Sequence, residues 1–235
     1  MFLRWLAFAS ALAFGCVLPS AGQADSALPI HDGLWSLELG VQPLSGSGTK
    51  IGLAAKHHIG NRSALRLGFS ARVISSDETV SASDVSGTHY GDSTDERDVT
   101  LFAHWVGYQC VDEHFAMTLD AGPTVHWRSM ERLEEYTSPD VDPSAAHNYD
   151  AFLSDENLWE YGLDAQMGLE WFFARHVSLA ARYGIAALRT EDRTTAESIL
   201  SSNGTGAIYH NYAAGNTDGF LVRTISPLVS LNASW

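Results

Sequence analysis

A stretch of fifteen residues, from Trp159 to Phe173, restricts the fold more than any other feature of the chain. Apolar or aromatic residues alternate there without interruption with polar, charged or glycine residues. The apolar members are Trp159, Tyr161, Leu163, Ala165, Met167, Leu169, Trp171 and Phe173. A period of two over this length excludes a helix, whose side chains repeat every 3.6 residues. The stretch is therefore predicted to be one long β-strand with an apolar and a polar face.

Seven further segments show the same alternation and bring the predicted number of strands to eight. They lie at about 34–42, 50–56, 65–73, 99–108, 115–127, 177–185 and 221–235. For segment 99–108 the orientation is left undecided. Leu101 and Trp105 indicate one face as apolar, whereas Phe102 and Tyr108 indicate the other. The chain is thus predicted to be all-β, with each strand antiparallel to the next.

The predicted connections alternate between short and long. Short links are expected at 58–62, 111–114 and 174–176, and a modest one at 43–49. Long polar links are expected at about 75–98, 128–157 and 189–219. An even number of strands of about ten residues, with short turns at one end and long loops at the other, is typical of a transmembrane β-barrel.

The distribution of aromatic residues indicates that the apolar face points to lipid. Twelve residues separate Trp159 from Trp171; at about 3.3 Å each and a tilt of about 40°, they rise roughly 30 Å, close to the thickness of an apolar membrane layer. The predicted aromatic girdle consists of Trp35, Trp127, Trp159, Tyr161, Trp171 and Phe173. The alternative is a soluble, lipocalin-like barrel that turns the same face inward and binds an apolar ligand.

The polar faces of the strands carry charges that balance, which predicts a filled interior. The predicted interior network consists of Glu38, Lys50, Lys56, Arg66, Arg72, Asp120, Glu160, Asp164, Glu170 and Arg182, five acids and five bases. Gln42, Gln166 and His126 share these faces. Buried ions are tolerated when they are paired, and eight strands enclose little more than side chains. A wide pore is therefore not expected.

Three residues in the strands, Pro123, Pro227 and Arg223, depart from the simple pattern. Pro123 and Pro227 predict bulges or a local loss of pairing, because proline donates no backbone hydrogen bond. In the last strand Ile225 is assigned to the lipid-facing side. Arg223 has the same parity, so its side chain is expected to reach along the surface to the rim.

The first 24 residues have the pattern of a cleaved signal peptide: a basic start, a short apolar run and small residues at Gly22 and Ala24. Cleavage before Cys16, which would make a lipoprotein, is the alternative. Residues 25–33 are then a short periplasmic segment and 34–235 the barrel domain. Cleavage after Ala24 leaves Cys110 alone, so an internal disulfide is excluded.

The chain ends with apolar residues at alternate positions before a terminal aromatic: Val229, Leu231 and Trp235. With the signal peptide and eight strands, this ending resembles the small Gram-negative outer-membrane barrels that include the OmpA transmembrane domain and OmpX. The resemblance covers 34–235 and concerns architecture only. It implies an eight-stranded up-and-down barrel in the cell outer membrane, with outer-membrane lipid, lipopolysaccharide and the barrel-assembly machinery as partners, and Val229, Leu231 and Trp235 as the assembly signal.

Charge and motifs narrow the function less than the fold. Twenty-eight acidic against fourteen basic residues argue against nucleic-acid binding, and no cofactor or metal motif is present. Nineteen of the acids fall in the predicted long loops, where they are expected to keep the rim hydrated; divalent cations bridging these loops to lipopolysaccharide are the sharper alternative. The external ligand of the loops is not identified by any motif. We therefore expect a structural or binding protein of the outer membrane, and not an enzyme.

A lipid-modifying enzyme of the outer leaflet is kept as an alternative because His126 and Ser129 lie near the outer end of one strand. A serine nucleophile needs its base within hydrogen-bond reach. Residues 126 and 129 point to opposite faces of a continuing strand. His126 is therefore expected to be an interior hydrogen-bonding residue.

Overall fold

The structure is a computed structural model and describes residues 28–43, 49–81, 89–138, 148–202 and 207–235. It contains eight strands: β1 (Trp35–Pro43), β2 (Thr49–His58), β3 (Ser63–Ser81), β4 (His89–Cys110), β5 (Phe115–Ser138), β6 (Asn148–Ala174), β7 (Val177–Ser202) and β8 (Ala207–Ser234). Each strand pairs antiparallel with its neighbour in sequence, and β8 pairs with β1 to close the barrel. The predicted all-β, eight-stranded, up-and-down barrel is confirmed. Among the described residues, none forms a helix long and apolar enough to cross a membrane.

The strand register determines the tilt and the width of the barrel. The line of paired residues from Trp159 runs through Trp127, Val99, Ala71, Ile51, Val41, Val229 and Ala181 and returns to β6 at Leu169. Leu169 lies ten residues beyond the start. Ten residues of shear over eight strands give a tilt of about 41° and a backbone radius of about 8 Å. A lumen of this width has room for side chains or for one small ligand.

The barrel has apolar residues outside and charged residues inside. Leu67, Met167 and Leu169 are 52, 62 and 54% exposed on the outer face, whereas Lys56 and Glu160 inside are at most 1% exposed. A soluble barrel has the reverse polarity, so the lipocalin-like alternative is contradicted. The chain has the inside-out polarity and the fold of a transmembrane β-barrel of the outer-membrane type.

The structure resolves the orientation that the sequence leaves open in β4. Leu101 and Trp105 point outward, while His104 and Tyr108 are buried inside. The inward face of β4 accepts aromatic rings because cations lie against them. The Arg66 guanidinium carbon is 4.6 Å from the centre of the Phe102 ring, and Lys56 Nζ donates a hydrogen bond to Tyr108 Oη at 3.2 Å.

The prediction of long loops at 75–98, 128–157 and 189–219 is wrong, because most of these residues continue the strands. β6, β7 and β8 have 27, 26 and 28 residues, about two and a half times what a bilayer requires. Beyond the lipid, paired strands need no apolar face, because their backbone hydrogen bonds alone continue the sheet. Opposite charges pair across neighbouring strands there, as Arg132 and Asp92 do at 2.9 Å. The connecting tips, 82–88, 139–147 and 203–206, lie outside the described residues.

The barrel therefore has two different ends. The turn end carries the tight links 59–62, 111–114 and 175–176, which agree with the short links predicted from the sequence. At the other end, called the hairpin end, the strands extend beyond the level of Trp159; these parts are called the strand extensions. Residues 28–34 pack at the turn end, where Ile30 and Leu34 are 5% exposed. The predicted signal peptide, 1–24, lies outside the described residues.

A bulge in β8 overturns the predicted orientation of Arg223 and Ile225. Arg182 pairs with Leu228, but Gly184 pairs with Ile225, so β8 holds one extra residue beside Pro227. The extra residue exchanges the two faces of the strand from that point toward the hairpin end. Arg223 and Ile225 therefore face the lumen, and Val222 faces outward at 62% exposure. At Pro123 the register is kept, but the β4–β5 pairing is interrupted between Phe102 and Trp105.

Candidate functional site

Six charged side chains meet in the lumen, toward the turn end, and form what we call the central cluster. Its members are Glu38, Lys56, Arg66, Asp120, Glu170 and Arg182, and each is at most 2% exposed. All six were predicted for the interior from the alternation of their strands. The cluster joins β1, β2, β3, β5, β6 and β7 and contains three acids and three bases.

Arg182 lies at the middle of this cluster. Its guanidinium is 2.9 Å from Glu38, 3.2 Å from Asp120 and 3.8 Å from Glu170. Arg66 contacts the same Glu38 at 2.7 Å and Asp120 at 3.0 Å. Lys56 donates to both oxygens of Glu170 at 3.1 Å. Each cation thus faces at least one carboxylate at hydrogen-bond distance, which offsets the cost of its burial.

Neutral groups add hydrogen bonds to the central cluster. Ser178 and Asn232 donate to Glu170 at 2.5 and 3.0 Å, and Arg182 donates to Ser230 at 3.0 Å. A glycine makes room for the arginine: a Cβ on Gly168 would lie 2.8 Å from Cγ of Arg182 and 2.4 Å from the Ala181 carbonyl oxygen. The glycines on the polar faces of the strands thus allow long side chains to fit inside a narrow barrel.

A second group of charges lies nearer the hairpin end and is called the rim cluster: Lys50, Arg72, Glu96, Asp98, His126, Glu160 and Arg223. Lys50 pairs with Asp98, and Arg72 pairs with Glu96. Arg223 contacts Glu160 at 2.7 Å. His126 links the Lys50–Asp98 pair to the Arg223–Glu160 pair, because its ring nitrogens lie 2.9 Å from Asp98 and 2.5 Å from Glu160.

The rim cluster contains partners that sequence reasoning missed. Lys50, Arg72 and Glu160 were predicted for the interior, but their partners Asp98, Glu96 and Arg223 were not. Asp164 likewise lies 2.8 Å from His104 rather than against a predicted cation. Asp98 and His104 share the inward face of β4 with Tyr108. This shared parity could have predicted an inward polar face, but Leu101 and Trp105, which have the opposite parity, did not by themselves decide between the two orientations.

Between the two clusters the lumen contains a cavity of about 420 Å³. On the other side of the central cluster, beside Ile30, Leu34 and Phe172, the free space is about 10 Å³. That is room for about one water molecule. The lumen is therefore filled toward the turn end and hollow toward the hairpin end.

The predicted girdle residues all lie on the outer face. Trp127 and Trp159 pack at 6.3 Å between ring centres near the hairpin end, on the same side of the band as Tyr161. Trp171 and Phe173 pack at 5.3 Å near the turn end, and Trp35 stacks on His57 there at 4.5 Å.

The predicted assembly signal follows the same outward pattern. Val229, Leu231 and Trp235 are exposed to 45, 48 and 68%. Trp235 exchanges backbone hydrogen bonds with Trp35 at 2.9 and 3.3 Å. The last residue is therefore fixed at the β1–β8 seam with its ring on the outside.

The chemistry available at His126 is ion pairing. Both of its ring nitrogens face carboxylates, and Ser129 lies on the opposite face of β5, three residues along. Within the described residues, no group of three or more His, Cys, Asp or Glu side chains is arranged to hold a metal ion.

In the strand extensions, the ion pair between Arg132 and Asp92 shifts the pKa of Asp92. The Arg132 guanidinium donates hydrogen bonds to both oxygens of Asp92, at 3.3 and 2.9 Å. These bonds hold the pKa of Asp92 below its ordinary value. The pair links β4 to β5 beyond the girdle of Trp127 and Trp159.

Comparison with known proteins gives distant structural likenesses only. No protein-family model matches the chain, and no curated protein matches it. Among solved structures, a major outer membrane protein from Thermus thermophilus is similar with a TM-score of 0.39 and 13% identity, over 86% of this chain and 98% of that one. CarO from Acinetobacter baumannii is similar with a TM-score of 0.34 and 12% identity, over 87% and 98%. The fold assignment rests on the strand topology and polarity described above.

Proposed function

We propose that this chain is an integral protein of the cell outer membrane that serves a structural or binding role at the cell surface and does not form a wide pore. The observation that carries the proposal is the central cluster, in which six buried charges fill the lumen of a barrel of about 8 Å radius. Opening this layer would separate Arg182 from three carboxylates. Leaving a buried charge without its partner costs about 3–5 kcal/mol, so a permanently open channel is disfavoured.

In this proposal the turn end faces the periplasm and the hairpin end faces the outside, since outer-membrane barrels have short periplasmic turns and longer external segments. The external segments 75–98, 128–157 and 189–219 carry nineteen acidic and five basic residues. They would lie beside lipopolysaccharide, with divalent cations bridging the two anionic surfaces. Val229, Leu231 and Trp235 would be read by the barrel-assembly machinery.

We propose no catalytic step. The lipid-modifying alternative depended on His126 and Ser129, and these side chains lie on opposite faces of β5. Lipid A from cells with and without the protein should have the same acyl pattern in mass spectrometry. A changed pattern would contradict the non-catalytic proposal.

Single-channel recording in planar bilayers tests the closed lumen. The purified protein should give no large, steady conductance. The double variant Arg66→Ala/Asp120→Ala removes one acid and one base from the central cluster, so it enlarges the lumen without changing its net charge; it should show new small openings. Asp92→Ala/Arg132→Ala, which removes an ion pair from the strand extensions, should behave like the wild type. Porin-sized conductance from the unaltered protein would contradict the proposal.

A further inference from the structure

Among the described residues, the wall of the barrel is incomplete on one side of the hairpin end, where residues 44–48, which join β1 to β2, lie outside the described residues. β1 and β2 stop at Pro43 and Thr49, whereas β3 to β8 continue. β8 pairs with β1 only over Val229–Ser234, and β3 pairs with β2 only over Ala64–Ala71. Within the described residues, neither the edge of β8 from Leu228 to Ala207 nor that of β3 from Arg72 to Ser81 has a strand partner on this side.

The exposure of β8 agrees with an open wall. Every residue from His210 to Thr224 is exposed, so both faces of this part of the strand are accessible. A side-chain hydrogen bond bridges the beginning of the gap: the Gln42 amide donates to the Ser226 carbonyl at 3.0 Å.

The register places this gap at the depth of the lipid. With a tilt of about 41°, each residue rises about 2.5 Å along the barrel axis, and each step from β6 through β5 to β1 descends about 3 Å. Pro43 and Thr49 then lie about 11 and 8 Å below the level of Trp159. Trp171, in the opposite girdle, lies about 30 Å below Trp159. The gap therefore spans the upper third of the apolar band.

Three cations border the gap from inside, and each comes from a different strand. Lys50 is the second residue of β2, Arg72 follows the last β2–β3 pair, and Arg223 lies on β8 beyond its pairing with β1. By the same arithmetic they lie about 10, 7 and 6 Å below the level of Trp159.

Each of these cations keeps donors that its carboxylate partner does not use. Lys50 donates to Asp98 and to Thr100 and has a third proton. Arg72 Nε is buried and has no hydrogen-bond partner. Arg72 and Arg223 line the cavity, whereas their partners Glu96 and Glu160 do not.

The cavity behind the gap has both charged and apolar lining residues. Its charged lining includes Lys50, Arg72, Arg128 and Arg223, with Asp98 paired to Lys50 at about their level, and Asp164 and Glu38 nearer its floor. Its apolar lining is made by Leu53, Phe102, Ala186, Leu188, Ile225 and Leu228. At 420 Å³ it is large enough for a head group with part of an alkyl chain.

We propose that the gap between β8 and β3 is a lateral binding site that takes an amphiphile with one anionic head group, a carboxylate or a phosphate, from the adjacent lipid leaflet. The head group binds Lys50, Arg72 and Arg223, and the chain runs out through the gap into the lipid. Open sheet edges are not stable against hydrocarbon, and a polar head group held by Lys50, Arg72 and Arg223 would lie beside these edges. The site depends on the membrane placement of the barrel, but not on whether the central cluster closes the lumen.

Binding of dodecanoate to the protein in phosphatidylcholine nanodiscs tests the site. Carboxyl-labelled dodecanoate is followed by ¹³C NMR, with empty nanodiscs as the baseline, and dodecyl phosphate and inorganic phosphate are followed by ³¹P NMR. We expect both anionic amphiphiles to bind above the baseline, and dodecanol and inorganic phosphate to bind at least about tenfold more weakly. Equal binding of dodecanol would show that the cations play no part. Equal binding of inorganic phosphate would show a site for free anions. Either result overturns the proposal.

Variants separate this site from general attraction to a charged rim. Lys50→Gln and Arg72→Gln should each weaken dodecanoate binding about tenfold or more. Ile225→Trp should also weaken it, because it narrows the cavity without changing its charge. The matched control is Arg189→Gln, since Arg189 is a 50% exposed cation at the outer face near the same level. Gel mobility before and after boiling shows that each variant is folded. Wild-type binding by folded Arg72→Gln/Glu96→Gln, which keeps the charge balance, would overturn the proposal.

Discussion

Removal of Arg182 should destabilise the barrel far more than removal of an exposed arginine on the same strand. In Arg182→Met, the three acids of the central cluster would face two cations, Lys56 and Arg66. Arg182 is 2% exposed and lies within 3.8 Å of three carboxylates. Breaking a buried ion pair of this kind costs about 3–5 kcal/mol. Arg189→Met is the matched change: Arg189 is 50% exposed and lies 3.5 Å from Asp218, a contact worth about 0–1 kcal/mol.

Urea unfolding in lipid vesicles, followed by tryptophan fluorescence, gives both free energies of unfolding. Arg182→Met should lose at least about 2 kcal/mol more than Arg189→Met. Addition of Glu38→Gln to Arg182→Met leaves two acids and two bases, so the double variant should be more stable than the sum of the single changes by about 0.5–3 kcal/mol. Equal losses for Arg182→Met and Arg189→Met would refute the argument that the polar face is enclosed and that its charges depend on each other.

Two further predictions concern backbone packing and the strand extensions. Gly162→Ala should lower the free energy of unfolding by about 1–3 kcal/mol, because its Cβ would lie 2.1 Å from the Ala187 carbonyl oxygen. The control is Gly215→Ala, whose Cβ would have nothing within 4 Å and which should change the free energy of unfolding by less than about 0.5 kcal/mol. Equal effects of the two substitutions would contradict the register of β6 and β7. The pKa of Asp92 is lower folded than unfolded, so the pair with Arg132 stabilises the fold above about pH 4 and loses this contribution as the pH falls further. The stability difference between wild type and Asp92→Asn should accordingly be present at pH 6 and vanish toward pH 2.

The sequence alone determined the barrel, because alternation is a property of single strands. Once Trp159–Phe173 is recognised as a strand with two unlike faces, the side chains on each face follow from parity alone. The same parity put Glu38, Lys56, Arg66, Asp120, Glu170 and Arg182 inside, and the structure brings these six together. Short links between alternating segments are also local features, and they appear where the pattern predicts them.

The sequence could not determine features that depend on how one strand pairs with another. The bulge beside Pro227 adds one residue to β8, and only the pairing with β7 shows on which side it falls; for this reason Arg223 was assigned to the wrong face. The sequence pattern placed Glu96 in a loop, because a strand outside the lipid lacks the alternating apolar residues by which a strand is recognised. Its partner Arg72 therefore had no predicted acid beside it.

The tertiary structure also decided where the wall of the barrel ends. The lengths of β1 and β2 are visible in the sequence, but their depth relative to Trp159 depends on a shear of ten residues accumulated around eight strands. Shear is a property of the closed ring, and no single strand encodes it. The convergence of Lys50, Arg72 and Arg223 at one level, beside a gap and above a cavity, therefore appears only when the ring is closed.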